Sequence, residues 1–202
     1  NMPASSYGPY YLEYYSGYTA YASGNPTDSA FGFGFYVKGG EAVVPDPSPP
    51  TTPPQPEPPE TEPSDPAAHI ASYLAEAPLD GDTVLIYNAA NTAVLGAAAS
   101  GKRLAGVTAA VENELITLSD EMAELLVTVD GEHYIFTLDG KYLTSADTGN
   151  GLSFAEELTD CGKWTLEQQA DGKFIIMNAG ANYNGNYNQA MEYYSGFTTY
   201  GV

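Results

Sequence analysis

The stretch NYNGNYN, residues 182–188, sets Tyr183 and Tyr187 among Asn182, Asn184, Asn186 and Asn188. Phenol rings beside carboxamides suit sugar recognition, because the rings stack on apolar sugar faces while the amides exchange hydrogen bonds with hydroxyls. Tyr193 and Tyr194 follow in MEYYSGFTTYGV, residues 191–202. Tyr183, Asn184, Asn186, Tyr187, Tyr193 and Tyr194 are therefore the candidate glycan-binding residues. Strand neighbours point to opposite faces, so a Tyr-Tyr pair turns one ring outward. The competing reading is cross-strand or inter-module aromatic packing, worth up to about 1 kcal/mol per pair.

Catalytic chemistry is not spelled out. Glu156 and Glu157 are adjacent, whereas a glycosidase dyad needs two carboxyl groups held across a cleft about 5–10 Å apart. No Gly-x-Ser-x-Gly, P-loop or His-Glu-x-x-His pattern occurs. Cys161 is the sole cysteine, which excludes an internal disulfide and a zinc site built from several cysteines. His69 and His133 lie far apart in sequence, and no Asp-x-Asp-x-Asp-Gly calcium loop is present. The expectation is a chain that is not an enzyme and holds no metal or cofactor.

Twenty-six acidic residues against six Lys and Arg give a net charge of −20. Such a field repels phosphate backbones and anionic headgroups, which argues against nucleic acid as a partner. No stretch reaches the roughly 20 apolar residues of a membrane helix, so membrane insertion is not expected. Asn1 is not a natural start, so the chain reads as a cut or processed piece, which leaves room for a removed signal; the acidity reads as what keeps a secreted protein soluble.

The elements that must position these groups are strands. PDPSPPTTPPQPEPPETEPSDP, residues 45–66, holds 11 of the 15 prolines. Proline fixes φ and lacks an N–H, so this stretch reads as an extended polyproline II spacer of about 3.1 Å per residue. Beyond it, Asp80-Gly81, Asp130-Gly131, Asp139-Gly140 and Asp171-Gly172 supply the positive φ of hairpin turns, most of them flanked by alternating apolar residues. Only 69–77 and 119–125 have helical character, at most a turn or two each.

Three segments repeat one pattern, an apolar strand, an Asn or Asp-Gly turn and a small-residue strand: 84–97, 134–146 and 174–186. Their spacing predicts an all-β, pseudo-threefold fold, either β-trefoil-like or another small closed barrel or sandwich. Residues 140–178 resemble one lobe of a ricin-type β-trefoil, with Gly-x-Tyr-Leu ahead of a Trp-containing strand. The Gln-x-Trp triplet of sugar-binding trefoils is missing, since Lys163 precedes Trp164.

A second repetition joins the ends. Leu12–Tyr21 and Met191–Tyr200 share seven identities in ten, at an offset of 179 residues (from 12 to 191). The first copy continues into AFGFGFYV, where Phe31, Phe33, Phe35 and Val37 alternate with small residues, which predicts a buried strand. The second stops short of its equivalent. Residues 1–40 thus read as the last strands of a preceding module, 41–66 as linker, and 67–202 as a module lacking its final strand. An apolar groove with unpaired edges is costly. Three arrangements satisfy it: downstream residues supply the strand, AFGFGFYV completes a neighbour, or AFGFGFYV folds back into its own chain.

DGDTVLIYNAANTAVLGA, SGKRLAGVTAAV, DGKYLTSADTGNGLSF, WTLEQQADGKFIIMN and YYSGFTTYG together resemble a tandem accessory module of large secreted proteins from gut Gram-positive anaerobes. There such modules accompany nucleotidase, phosphoesterase or nuclease domains. The resemblance covers 67–202 and the tail 1–38. It implies an extracellular or cell-wall location, no catalytic residues in this chain, and neighbouring copies of the module as partners. The expected function is a structural and adhesive spacer that assembles by strand donation; the alternative is a carbohydrate-binding module with glycan partners.

Overall fold

The computed structural model describes residues 11–14, 18–21, 31–39, 70–183 and 187–202; the side chains of 11–14, 18–21, 183 and 187 lie outside the description, as does the 45–66 spacer. Among the described residues, seventeen strands follow in chain order. They are β1 (Tyr11–Tyr14), β2 (Tyr18–Tyr21), β3 (Gly34–Lys38), β4 (Ile70–Leu74), β5 (Thr83–Asn88), β6 (Ala93–Ser100), β7 (Arg103–Thr108), β8 (Val111–Glu112) and β9 (Leu115–Thr117). The remainder are β10 (Leu125–Asp130), β11 (His133–Leu138), β12 (Lys141–Ser145), β13 (Leu152–Ala155), β14 (Trp164–Gln168), β15 (Phe174–Tyr183), β16 (Tyr187–Tyr193) and β17 (Phe197–Gly201). The protein is all-β: β1 and β2 pair alone, and the other fifteen strands form one antiparallel sheet.

Pairing within that sheet repeats three times. β3-β5-β6-β7, β10-β11-β12-β13 and β14-β15-β16-β17 are each four strands joined antiparallel in that order. The first strand of each run, or for β3 the residue just before it, also reaches the second strand of another. Leu125 pairs with Val84, Trp164 with Tyr134 and Phe33 with Phe174. The pairings β3-β5-β10-β11-β14-β15 thus return to their start, and Phe33–Phe174 is the link that completes the circuit.

Turn chemistry sets several of these registers. Between β11 and β12, Asp139 and Gly140 both take positive φ (49° and 78°), the type I′ geometry that matches strand twist. Gly131 (φ 63°) begins the two-residue turn between Asp130 and His133. Asp80-Gly81 behaves differently from the hairpin expectation. It joins β4 to β5, which do not pair because β3 lies between them. There the Asp80 carboxylate accepts from Val129 N–H at 2.9 Å, tying the turn to β10.

The core lies where alternate residues of the three runs meet. Phe33, Phe35, Val84, Ile86, Leu95, Leu125, Phe136, Leu143, Trp164, Phe174, Ile176 and Phe197 pack into one buried cluster. Helical character at 69–77 is not found: Ile70–Leu74 is strand β4, held on both sides by β3 and β9. With Ala71 buried and Tyr73 packed beside it in a second cluster, burial of a strand face overrides local propensity. Residues 119–122 form a turn, closed by Met122 N–H to Ser119 C=O at 3.0 Å.

Candidate functional site

Within segment 31–38, β3 lies between β4 and β5, and Phe33 just before it bridges to Phe174 of β15. Phe35 pairs with Leu74 and Ile86, Tyr36 with Tyr73 and Leu85, and Val37 with Ser72 and Val84. Period-two alternation sends successive side chains to opposite faces, and both faces are covered. Phe33 and Phe35, with no measurable exposure, enter the main core. Phe33 lies 5.9 Å from Phe197 between ring centroids, and Phe35 lies 5.9 Å from Phe136 and 5.4 Å from Phe174.

Tyr36 enters the second cluster with Ala71, Leu85 and Tyr87, its ring 5.6 Å from Tyr73 and 5.5 Å from Tyr87. Phe31 joins Ile175 and Ala190 in a third. One short segment therefore feeds all three clusters. Burial, reinforced by the neighbouring Tyr87 and Tyr73, pushes the Tyr36 phenol up to about 12.

Polar contacts fix the register of this segment. Asn88, fully buried at the end of β5, donates from Nδ2 to the Gly32 carbonyl at 3.1 Å. Its Oδ1 accepts from the Asn91 N–H at 3.1 Å and the Asn91 side chain at 2.7 Å, capping the short 3₁₀ turn Ala89–Asn91. At the other end Lys38 Nζ meets Glu124 Oε2 at 2.6 Å.

The tyrosine-asparagine residues divide into two places. Tyr183 and Tyr187 are backbone partners at the joined ends of β15 and β16; Asn184 and Asn186 lie outside the described residues. Tyr193 and Tyr194 sit at the opposite end of β16, six strand steps or roughly 20 Å from Tyr187. Tyr193 packs on the core, edge-on to Phe197 at 5.1 Å. Gly106 makes room for it, since a Cβ there would fall 2.6 Å from the Tyr193 hydroxyl. Tyr194 is 55% exposed, with the Arg103 guanidinium 5.2 Å from its ring centre.

A buried polar group links β16 and β17 to the loop after β12. Thr199 Oγ1 lies 2.6 Å from Gln189 Oε1, 2.9 Å from Ser145 Oγ and 3.0 Å from the Gly151 carbonyl. Gln189 Nε2 donates to the Ala146 carbonyl at 3.3 Å. Sequence reading overlooked this network, Asn88 and Tyr36. Tyr36 was within reach, being the residue opposite Phe35 in the same alternation.

Other chemistry-bearing groups are structural in setting. The Glu156 carboxylate pairs with Lys141 at 2.9 Å on the surface. Burial, then the nearby Asp147, pushes the Cys161 thiol up and keeps it protonated. Trp164 is fully buried and donates from Nε1 to the Leu143 carbonyl at 2.9 Å. Among the described residues no three His, Cys, Asp or Glu side chains are placed to hold a metal ion, and no helix is long and apolar enough to cross a membrane.

Comparison with known proteins returns no matching family model, no matching curated protein and no matching solved structure.

Proposed function

We propose that this chain is a non-catalytic extracellular module, a structural and adhesive spacer of β-trefoil-like build whose closing strand comes from outside the 67–202 segment. The carrying observation is the place of β3. It stands in the first four-strand run where β10 and β14 stand in the other two, and it brings Phe33 and Phe35 to the common core. A donated strand of this kind gives affinity through main-chain hydrogen bonds and specificity through pockets for alternate side chains. The proline-rich 45–66 sequence suits a tether between such units, and the net charge of −20 suits a secreted protein. The accessory-module resemblance of the sequence points the same way.

The experiment introduces a protease site within 45–66 of the full chain and cleaves it after folding. Strand completion predicts that the amino-terminal piece stays with 67–202 on size exclusion and leaves when Phe33 and Phe35 are both Ala. Immediate release of the wild-type piece would remove the reading. The carbohydrate-binding reading draws on one observation, the exposed Tyr194 ring. It requires Tyr194→Ala to abolish signals on a glycan array; an array without wild-type signals ends it.

A further inference from the structure

Six Lys and Arg stand against 26 acidic side chains in this sequence. Four of the six are paired: Lys38 with Glu124 at 2.6 Å, Lys141 with Glu156 and Lys163 with Asp160 at 2.9 Å, and Lys173 with Asp171 at 2.5 Å. Lys102 and Arg103 remain, neighbours in sequence, with no ion-pair partner among the described residues. We infer that Lys102, Arg103 and Tyr194 form a subsite for a glycan whose terminal sugar carries one carboxylate. The inference rests on the carbohydrate-binding reading above and names the ligand class for it.

Two turns build the subsite. Gly101 (φ 64°) and Lys102 form the tip between Ser100 of β6 and Arg103 of β7. The Lys102 carbonyl accepts from Leu152 N–H at 3.1 Å, which fixes that tip against β13. Ser195 (φ 52°) and Gly196 (φ 136°) turn β16 into β17, closed by Tyr194 N–H to the Gly196 carbonyl at 2.8 Å. Leu104 and Phe197 are paired, so the two tips lie side by side. Their approach needs a glycine: a Cβ at Gly196 would fall 2.8 Å from the Leu104 carbonyl oxygen and 3.4 Å from Arg103 Cβ. Arg103 thus lies along the 194–196 turn, its guanidinium 5.2 Å from the Tyr194 ring centre.

A guanidinium lying on a ring engages it through its flat face and keeps its N–H edge, which meets a carboxylate in two parallel hydrogen bonds. Held on Tyr194, Arg103 gives up less side-chain freedom when the anion arrives. Carbon atoms in contact sit about 3.5–4.0 Å apart, so a 5.2 Å separation places the guanidinium off the ring centre. Part of the exposed Tyr194 ring stays open beside that N–H edge. There a pyranose bearing the carboxylate packs its C–H face. Lys102, exposed at the adjacent position, adds a point charge. The rest of the chain limits the ligand. A net charge of −20 repels a polyanion as a whole, yet salt screens that field beyond about 8 Å. A single carboxylate therefore meets the two unpaired cations, while a polysulfate or an acidic peptide carries its remaining charges into the net repulsion.

The test applies the full chain to an array of oligosaccharides ended by glucuronic acid or by N-acetylneuraminic acid, the methyl esters of the same glycans, neutral galactose-ended glycans, and polyglutamate. The expected result is a signal on at least one acidic set that falls by roughly tenfold or more on its methyl ester, the loss of a charge-assisted hydrogen bond. Arg103→Lys, which keeps the charge and loses the fork, and Tyr194→Ala should each lower the signal by roughly the same factor. Lys102→Ala should lower it less, and Lys173→Ala, on another turn, should leave it unchanged. Trp164 emission reports that each variant is folded. Equal signals on the acids and their methyl esters would overturn the inference and leave the carbohydrate reading standing. An acid-selective signal that survives Arg103→Lys would overturn it too, as would binding to polyglutamate that needs Arg103 but not Tyr194, the mark of an acidic peptide. Silence of the wild type on every sugar would remove both the inference and the reading beneath it.

Discussion

Phe33 and Phe174 exchange both backbone hydrogen bonds, Phe33 N–H to Phe174 C=O at 3.0 Å and Phe174 N–H to Phe33 C=O at 2.8 Å. Through this bridge a segment on the amino side of the proline-rich stretch meets a strand near the carboxyl end. Equivalent bridges at Leu125–Val84 and Trp164–Tyr134 lie within the 70–202 part. Phe33, Leu125 and Trp164, the residues at or just before the first strand of each run, are all fully buried.

Removing an aromatic ring from β3 should cost as much as removing one from the heart of the module. Phe33→Ala and Phe35→Ala are each expected to lower unfolding stability by about 3–5 kcal/mol. Leu126→Ala, at a strand position 47% exposed, should stay within about 0.5 kcal/mol. Denaturant unfolding followed by the emission of the buried Trp164 distinguishes these outcomes.

The buried polar network should show strong non-additivity. Thr199→Val removes a hydroxyl within reach of Gln189, Ser145 and Gly151 and is expected to cost about 1–3 kcal/mol. Combining Ser145→Ala, Gln189→Leu and Thr199→Val should cost less than the three single losses added together, because no partner is then stranded. Urea unfolding of the four variants checks it.

Close backbone packing makes Gly180 specific. A Cβ there would sit 2.4 Å from the Asp160 carbonyl carbon, a main-chain atom that cannot swing aside. Gly180→Ala should destabilise by about 1–3 kcal/mol. Gly131→Ala, with open space around it but φ 63°, should cost about 1–2 kcal/mol through backbone strain alone. Thermal unfolding of both variants provides the comparison.

Alkaline pH should loosen the β3 groove. The Tyr36 phenol titrates near 10 when unfolded and is held up to about 12 in the fold by burial and by Tyr87 and Tyr73. Below pH 10 both states are protonated and stability is intact. Between pH 10 and 12 the unfolded chain loses the proton first, so stability falls as pH rises. Tyr36→Phe should flatten that fall in denaturant unfolding measured from pH 9 to 12.

The sequence displayed the all-β class openly, because Asp-Gly turns and period-two runs are local signals. Two of its repeated segments, 84–97 and 134–146, correspond to β5–β6 and β11–β12; the third, 174–186, takes in β15 only, because Asn178–Gly180 continue the strand instead of turning and β16 begins at Tyr187. Which strand leads each hairpin was less legible. Residues 125–130 and 164–168 precede the second and third hairpins directly, but Ile70–Leu74, preceding the first, pairs with β9 and β3 instead. The true leader lies beyond the proline-rich stretch, and pairing across such a separation leaves no local trace. Tyr193 and Tyr194 illustrate the same limit at the candidate glycan site. Identical neighbours in sequence, one is packed against Phe197 and the other stands 55% exposed, a difference set by what the rest of the chain brings alongside.

Amide hydrogen exchange on the full chain tests most directly whether β3 closes the circuit. The account predicts that the Phe33 amide exchanges only through global opening, with the protection of the β10 and β14 amides. Exchange of Phe33 at the rate of an unstructured peptide, while β10 and β14 stay protected, would contradict it.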